Sequence, residues 1–212
     1  MASMRDIKRR KNSVTSTQQI TKAMKLVSTV KLQKAKAKAE STNPYTEHMY
    51  KTIQSMMAKS TNINHPYLTK GESDRKAVIV ITSNRGLAGG YNSNVIKLLM
   101  GSDLPKENVD IYALGTKGGE LLSRRGYRIV EQASHIMEEP TYADAAALCK
   151  KVLDAYVSGE VGEIYLVYTH FKNTVAHIPS LKKLLPVEAD LLSQTEEIGA
   201  PMSYEPNTEE AL

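Results

Sequence analysis

The 212-residue sequence predicts an α/β protein: a long basic amino-terminal helix attached to a mostly parallel sheet flanked by helices. Three observations carry that prediction. Met4 to Asn43 contains neither glycine nor proline and is dominated by Ala, Lys, Gln, Met and Leu, all good helix formers. From Ala77 onward, short β-branched runs alternate with helical stretches, the pattern of strands joined by crossover helices. The charge is also divided. The net +5 separates into +10 over residues 1–59 (13 basic, 3 acidic) and −5 over residues 60–212 (15 basic, 20 acidic). Such a split suggests a partner for the amino-terminal segment alone.

The amino-terminal helix starts after Ser3, with Asp6 completing an S-x-x-[DE] capping spacing, and runs to at least Glu40. Pro44 is a candidate stop. Tyr45 to Lys59 nevertheless reads as helix again, with Tyr45, Met49, Ile53 and Met56 at helical spacings, so the choice is one kinked helix or two. A continuous helix would be roughly 80 Å long at 1.5 Å per residue. Its heptad seam, Arg10, Val14, Thr17, Thr21, Met24, Ser28, Lys31, Ala35 and Lys38, is small and polar, which makes a poor self-dimerising zipper. Between Ile20 and Leu32 the apolar residues Ile20, Ala23, Met24, Leu26, Val27, Val30 and Leu32 lie nearly all round the axis. A helix apolar on several sides is one buried on several sides.

Residues 60–76 read as a linker, marked by His65-Pro66 and Lys70-Gly71. Ala77–Thr82 is a strand buried on both faces. A glycine-rich turn leads to a helix over 91–100, then a strand over 109–114. A helix over 115–125 and a strand over 127–132 follow. The 142–157 stretch is amphipathic helix, and 164–169 is the fourth strand. Residues 176–185 add a candidate edge strand. The chain from Pro186 carries acids and no base, and residues 191–212 read as an acidic, extended exit.

Composition narrows the function classes. The longest apolar runs, 77–81 and 164–168, are far short of the ~20 residues of a membrane span. The lone Cys149, expected to be a small buried side chain of its helix, excludes an internal disulfide and a cysteine-based metal site. Five histidines (48, 65, 135, 170 and 177) show no H-x-x-x-H spacing. There is no G-x-S-x-G elbow, and Glu138-Glu139 are merely adjacent, so no catalytic constellation emerges. The basic amino terminus has the composition of a transit peptide but favours Lys over Arg.

Two segments remain open to a functional reading. The loop Ser83 to Asn92, with Arg85, Gly86, Gly89 and Gly90, lies between a strand and a helix, where phosphate-binding glycine loops sit. Its G-x-x-G-G spacing is not the dinucleotide fingerprint and it lacks a Walker lysine. The alternative is a structural crossover in which glycine allows positive φ and close helix–strand contact. The basic residues 8–11 and the lysines at 31, 34, 36 and 38 suit either phosphates or an acidic protein surface. A nucleic-acid-binding module and a small nucleotide-binding enzyme are therefore the competing functions.

The runs Met4-Arg5-Asp6-Ile7-Lys8-Arg9-Arg10, Thr17-Gln18-Gln19-Ile20-Thr21-Lys22-Ala23-Met24-Lys25-Leu26-Val27 and Pro44-Tyr45 resemble the gamma subunit of F-type ATP synthases. So do Ile81 through Asn92, Gly115-Thr116-Lys117-Gly118 and Leu184-Leu185-Pro186. The resemblance spans nearly the whole chain and implies a Rossmann-like domain over 77–190. It implies a non-catalytic rotor, with residues 1–59 as half of a coiled-coil shaft inside the catalytic ring, coupling proton flow to ATP synthesis or hydrolysis. The implied partners are the alpha and beta subunits of that ring, the epsilon subunit and the membrane c-ring. Neither nucleic acid nor direct membrane insertion is implied. ATP, ADP and Mg would belong to partner subunits, with no cofactor on this chain. The subunit would lie peripherally on the coupling membrane, at the cytoplasmic face of a bacterial plasma membrane. Arg9, Arg10, Thr17, Ile20, Thr21, Lys22, Met24, Val27 and Lys31 would form the shaft–sleeve interface. In the family a second long helix completes the shaft. Here the sequence given reaches Leu212 where that helix would begin, so the expectation is a gamma subunit lacking its carboxy-terminal shaft helix.

Overall fold

The computed structural model describes residues 3–59, 65–187 and 205. These divide into two compact units, one of residues 3–59 and one that contains residues 65–187.

The first unit is helix α1, Met4–Lys59, one element of 56 residues with Pro44 inside it. The proline does not end the helix. It removes one N–H and so one helical hydrogen bond. On either side of it, hydroxyls bond back onto helix carbonyls: Ser41 Oγ and Thr42 Oγ1 to Lys38 O at 2.8 and 2.9 Å, and Thr46 Oγ1 to Thr42 O at 3.3 Å. At the start, Ser3 Oγ accepts from Arg5 N–H, and the Ser3 carbonyl accepts from the Asp6 and Ile7 N–H groups.

The second unit is a five-stranded sheet in the order β3-β2-β1-β4-β5. Its strands are β1 (Lys76–Ile81), β2 (Val109–Leu114), β3 (Arg128–Gln132), β4 (Glu163–Phe171) and β5 (His177–Leu185). β1 pairs in parallel with β2 and β4, and β2 with β3, while β5 lies antiparallel along β4 as an edge. The β-branched run of β1 is buried on both faces because each face has its own core. Ala77 and Ile79 point toward α4 (Tyr142–Val157), with Leu148, Val152 and Tyr156. Val78 and Val80 point toward α2 (Tyr91–Met100) and α3 (Thr116–Ser123), with Val95, Ile96, Leu99 and Leu122.

Several sequence expectations shift in detail. β1 begins at Lys76 and ends at Ile81, so Thr82 lies outside the strand, although its N–H still bonds Leu114 O at 2.7 Å. β4 is longer than expected because β5 pairs with it as far as Phe171, beyond the reach of β1. Cys149 is exposed, since the buried face of α4 is carried by Leu148, Val152 and Tyr156. Residues 65–75, inside the segment read as a linker, are packed onto the sheet unit. The expected acidic exit at 191–212 lies outside the described residues apart from Glu205.

Candidate functional site: the shaft helix and the glycine loop

The surface of α1 is the larger of the two candidate sites. Ile20, Met24 and Val27 are 61, 50 and 58% exposed. At 100° per residue, Arg9, Val27, Ile20, Lys31, Met24, Thr17, Arg10 and Thr21 fall within an arc of about 120°. The helix therefore brings eight of the nine sequence-derived shaft residues onto one face. Lys22 projects on the opposite side. Its neighbourhood in sequence was a poor guide to its neighbourhood on the helix.

Every threonine of α1 uses its hydroxyl on the helix itself. Thr15, Thr17, Thr21 and Thr29 donate to the carbonyls of Lys11, Ser13, Thr17 and Lys25 at 2.8–3.0 Å. Thr42, Thr46 and Thr52 repeat the pattern toward Lys38, Thr42 and His48. A hydroxyl satisfied four residues back leaves the methyl as the outward group. The seam is thus less polar than its composition. Sequence reading missed this, although a repeated Thr on a long helix is the signal for it.

The glycine loop leaves the carboxyl end of β1, where the order β2-β1-β4 makes a topological switch point. Asn92 folds the loop back: its Oδ1 accepts from Ser83 N–H at 2.9 Å, and its Nδ2 donates to Ser83 Oγ at 2.8 Å. Asn84 ties the loop outward, donating to Ser134 O at 2.8 Å and accepting from Thr116 N–H at 3.1 Å. Leu87 and Gly89 take positive φ, 60° and 55°, and Leu87 is 97% exposed. A Cβ at Gly86 or Gly89 would meet nothing within 4 Å. Positive φ therefore explains Gly89, but close packing explains neither.

The close packing is made by other glycines. A Cβ at Gly115 would stand 2.2 Å from Thr82 O, one at Gly118 2.5 Å from Thr82 Oγ1, and one at Gly119 2.7 Å from Gln132 Oε1. Thr82 is fully buried and accepts from Gly118 N–H at 2.8 Å. The run Gly115-Thr116-Lys117-Gly118-Gly119 is what seats α3 against the loop.

Beside the loop is an open cleft of roughly 350 Å³ between the Ala88–Tyr91 turn with Asn94 and the Thr169, His177 and Pro179 side of the β4–β5 hairpin. Its lining includes His177 and holds no lysine, arginine or carboxylate. Among the described residues no cluster of His, Cys, Asp and Glu is arranged to hold a metal ion. Among them, too, no helix is long and apolar enough to cross a membrane.

Two carboxylates are held at the amino-terminal edge of the sheet. Asp110 takes the Arg75 guanidinium through both oxygens, with Arg75 Nε at 3.0 Å, and Arg128 approaches to 3.3 Å. The Arg75 guanidinium is held above its ordinary range by the hydrogen bonds and charge of Asp110, against the cost of burial. Glu163 lies 3.1 Å from Lys183 Nζ and 3.9 Å from Lys76 Nζ, and accepts from the Tyr165 hydroxyl at 3.2 Å. Burial is the largest single influence on Glu163 and raises it. Lys183, Tyr165 and Lys70 together outweigh burial and hold the carboxyl below its usual range.

Comparison with known proteins agrees with this geometry. The profile of the ATP synthase family matches residues 3–212. The ATP synthase gamma chain of Lachnoclostridium phytofermentans is 61% identical over 219 aligned positions, which take in all of this chain and 75% of that one. The chain belongs to the gamma-subunit family of the F-type ATP synthases. A second family member, the gamma chain of Alkaliphilus metalliredigens, is 44% identical across 99% of this chain and 74% of its own length. The fold is also that of the family: the mitochondrial ATP synthase central stalk and c-ring structure of Tetrahymena thermophila contains a chain with TM-score 0.60 at 22% identity, covering 91% of this chain and 83% of that chain. The matches support neither the nucleic-acid-binding module nor the small nucleotide-binding enzyme. As a gamma-family member the chain is a component of ATP synthase, a membrane-associated complex.

Proposed function

We propose that this chain is a non-catalytic rotor: it turns within the ring of alpha and beta subunits and couples transmembrane proton flow to ATP synthesis or hydrolysis. The observation that carries the reading is α1 itself. It is 56 residues long, apolar on several sides, and exposed at nearly every described position. Isolated amphipathic helices hide one face on their own domain, whereas an all-round apolar helix needs a sleeve. Met24 and its neighbours over 20–30 are the tightest shaft–sleeve zone. The arc of Arg9, Arg10 and Lys31 meets acidic surface on the sleeve.

On this reading the asymmetric surface of the shaft forces the catalytic sites of the ring into different states as it turns. ATP, ADP and Mg are bound by the partner subunits. The epsilon subunit and the membrane c-ring complete the rotor, and the complex holds this chain at the cytoplasmic face of a bacterial plasma membrane. What supports a structural reading of this region is the close packing of Gly115, Gly118 and Gly119, which leaves no room for a side chain between α3 and its neighbours. The glycine loop, including Arg85, then shapes the domain surface and binds no cofactor.

The test is Met24→Lys in a reconstituted ATP synthase. The expected result is retained ATP hydrolysis with proton pumping per ATP reduced at least several-fold. Unchanged coupling would remove Met24 from the proposed zone, and failure of the chain to assemble with the catalytic ring would remove the rotor reading.

A further inference from the structure

The cleft beside the glycine loop has no task in the rotor reading, yet its walls carry polar groups without partners. One wall is the turn from Ala88 into α2, and the other is the β4–β5 hairpin. Its volume of roughly 350 Å³ lies at the small end of ligand sites.

The first wall ends in an uncapped helix. The N-cap of α2 is Gly90, and no side chain bonds back onto the first turn. The Tyr91 and Asn94 N–H groups bond the Ala88 and Gly90 carbonyls at 3.2 and 2.8 Å. Between them, the Asn92 and Ser93 N–H groups have no acceptor among the described residues. A helix usually satisfies those positions with a side-chain oxygen of its N-cap, which glycine does not have.

The floor supplies a second open group. Thr169 lies on the same face of β4 as Val167, which enters the α2-side core, and it lines the cleft. Its Oγ1 is buried and has no hydrogen-bond partner among the described residues. A buried hydroxyl in that state is uncommon and calls for a partner. On the hairpin wall His177 stacks on Phe171 with ring centroids 5.8 Å apart, which restricts the imidazole. Neither segment that builds the walls, 83–102 or 164–187, contains an Asp or Glu, although residues 60–212 carry a net −5. Helix N–H donors, a hydroxyl and an imidazole thus meet with no carboxylate to repel an anion. With no lysine or arginine in the lining, an anion of one charge matches the cleft better than a polyphosphate.

We propose that this cleft binds a small monocarboxylate with a short apolar or aromatic body: the carboxylate caps α2 and partners the Thr169 hydroxyl, and the body lies along Val175 and Pro179. Negative charge is favoured at that end of a helix by its dipole and its open N–H groups. The site belongs to the α/β domain alone and stands apart from the rotor reading.

The test titrates benzoate into the isotopically labelled full chain and follows the amide signals by NMR. Saturating shifts should appear at Gly89, Gly90, Asn92 and Ser93, with half-saturation on the order of 1 mM, and the β2 amides should stay still. Benzamide, the same shape without the charge, should need at least about tenfold more, and inorganic phosphate at least about threefold more. Thr169→Val keeps the side-chain shape and should weaken benzoate at least about threefold. Its denaturation midpoint should not fall, because the hydroxyl it removes has no partner in the free chain. Shifts that never saturate, benzamide binding as tightly as benzoate, or unchanged benzoate affinity in Thr169→Val would overturn the site. Phosphate binding as tightly as benzoate would overturn the monocarboxylate as its ligand.

Discussion

Val78, Val80 and Ile111 of the sheet have no exposed surface, while Ile20, Leu26 and Val27 of α1 are 61, 70 and 58% exposed. The residue types are the same, but what covers them differs. In the α/β domain the chain supplies helices for both faces of its sheet, and alternate residues of β1 enter separate cores. In α1 the apolar residues face in too many directions for one neighbour to cover. The difference teaches that hydrophobic content alone does not separate a stable domain from an interface awaiting partners. Periodicity does, because it shows on how many sides a partner must lie.

The comparison can be broken first where the domain is tightest. Gly115→Val would place a Cβ against Thr82 O at a φ of 100°. The expected loss is about 3 kcal/mol or more of domain stability, read by denaturant unfolding followed through tyrosine fluorescence. A loss below 1 kcal/mol would mean that α3 is not seated by its glycines.

Asp110→Asn leaves Arg75 and Arg128 without their carboxylate. The Asp110 side chain is 8% exposed while its partners are 35 and 66% exposed, so solvent on the arginine side moderates the cost to about 2 kcal/mol. The same unfolding measurement checks it. Glu163 gives a smaller, pH-dependent effect. Its folded carboxyl is held below the usual range, so its stabilisation is present above the unfolded value near 4.3 and is lost as pH falls through the folded one. Glu163→Gln should cost about 1 kcal/mol at neutral pH, and the difference from the unaltered chain should shrink in acid. A difference that grows toward low pH would reverse the sign assigned here.

The smallest expected effect is on α1. Met24→Lys touches no core, so the stability of the free chain should change by less than about 0.5 kcal/mol, even though coupling in the assembled complex falls. A large loss of stability in the free chain would mean that α1 is covered by its own chain.

The sequence made the long elements readable because their signals are local. The Tyr142–Val157 helix has the bounds expected of it, with Thr141 capping the Asp144 N–H at 3.2 Å. The α1 run was equally plain, but whether Pro44 ends it was not. A single proline removes one helical hydrogen bond, that to the Glu40 carbonyl, and whether the turns on either side carry the helix through it is not a local signal. Glycines were ambiguous for a different reason. Gly89 needs its positive φ and Gly118 needs its missing Cβ, yet both are one letter in the sequence. Residues 65–75 carried no legible pattern at all, since backbone contact with Gly162 and the Tyr156 hydroxyl hold them, and those partners lie some 90 positions away. Of the shaft residues, which the family resemblance implied, helical periodicity sets Lys22 apart from the other eight, while the satisfied threonine hydroxyls needed side-chain geometry.

Hydrogen exchange of the whole chain, alone and within assembled ATP synthase, tests the contrast between the two regions most directly. In the free chain the α1 amides over 20–30 should exchange at least about a hundredfold faster than the β1 and β2 amides. On assembly, protection of 20–30 should rise toward that of the sheet. Full protection of α1 in a free, monomeric chain, or none gained on assembly, would contradict the account of α1 as a shaft completed by its sleeve.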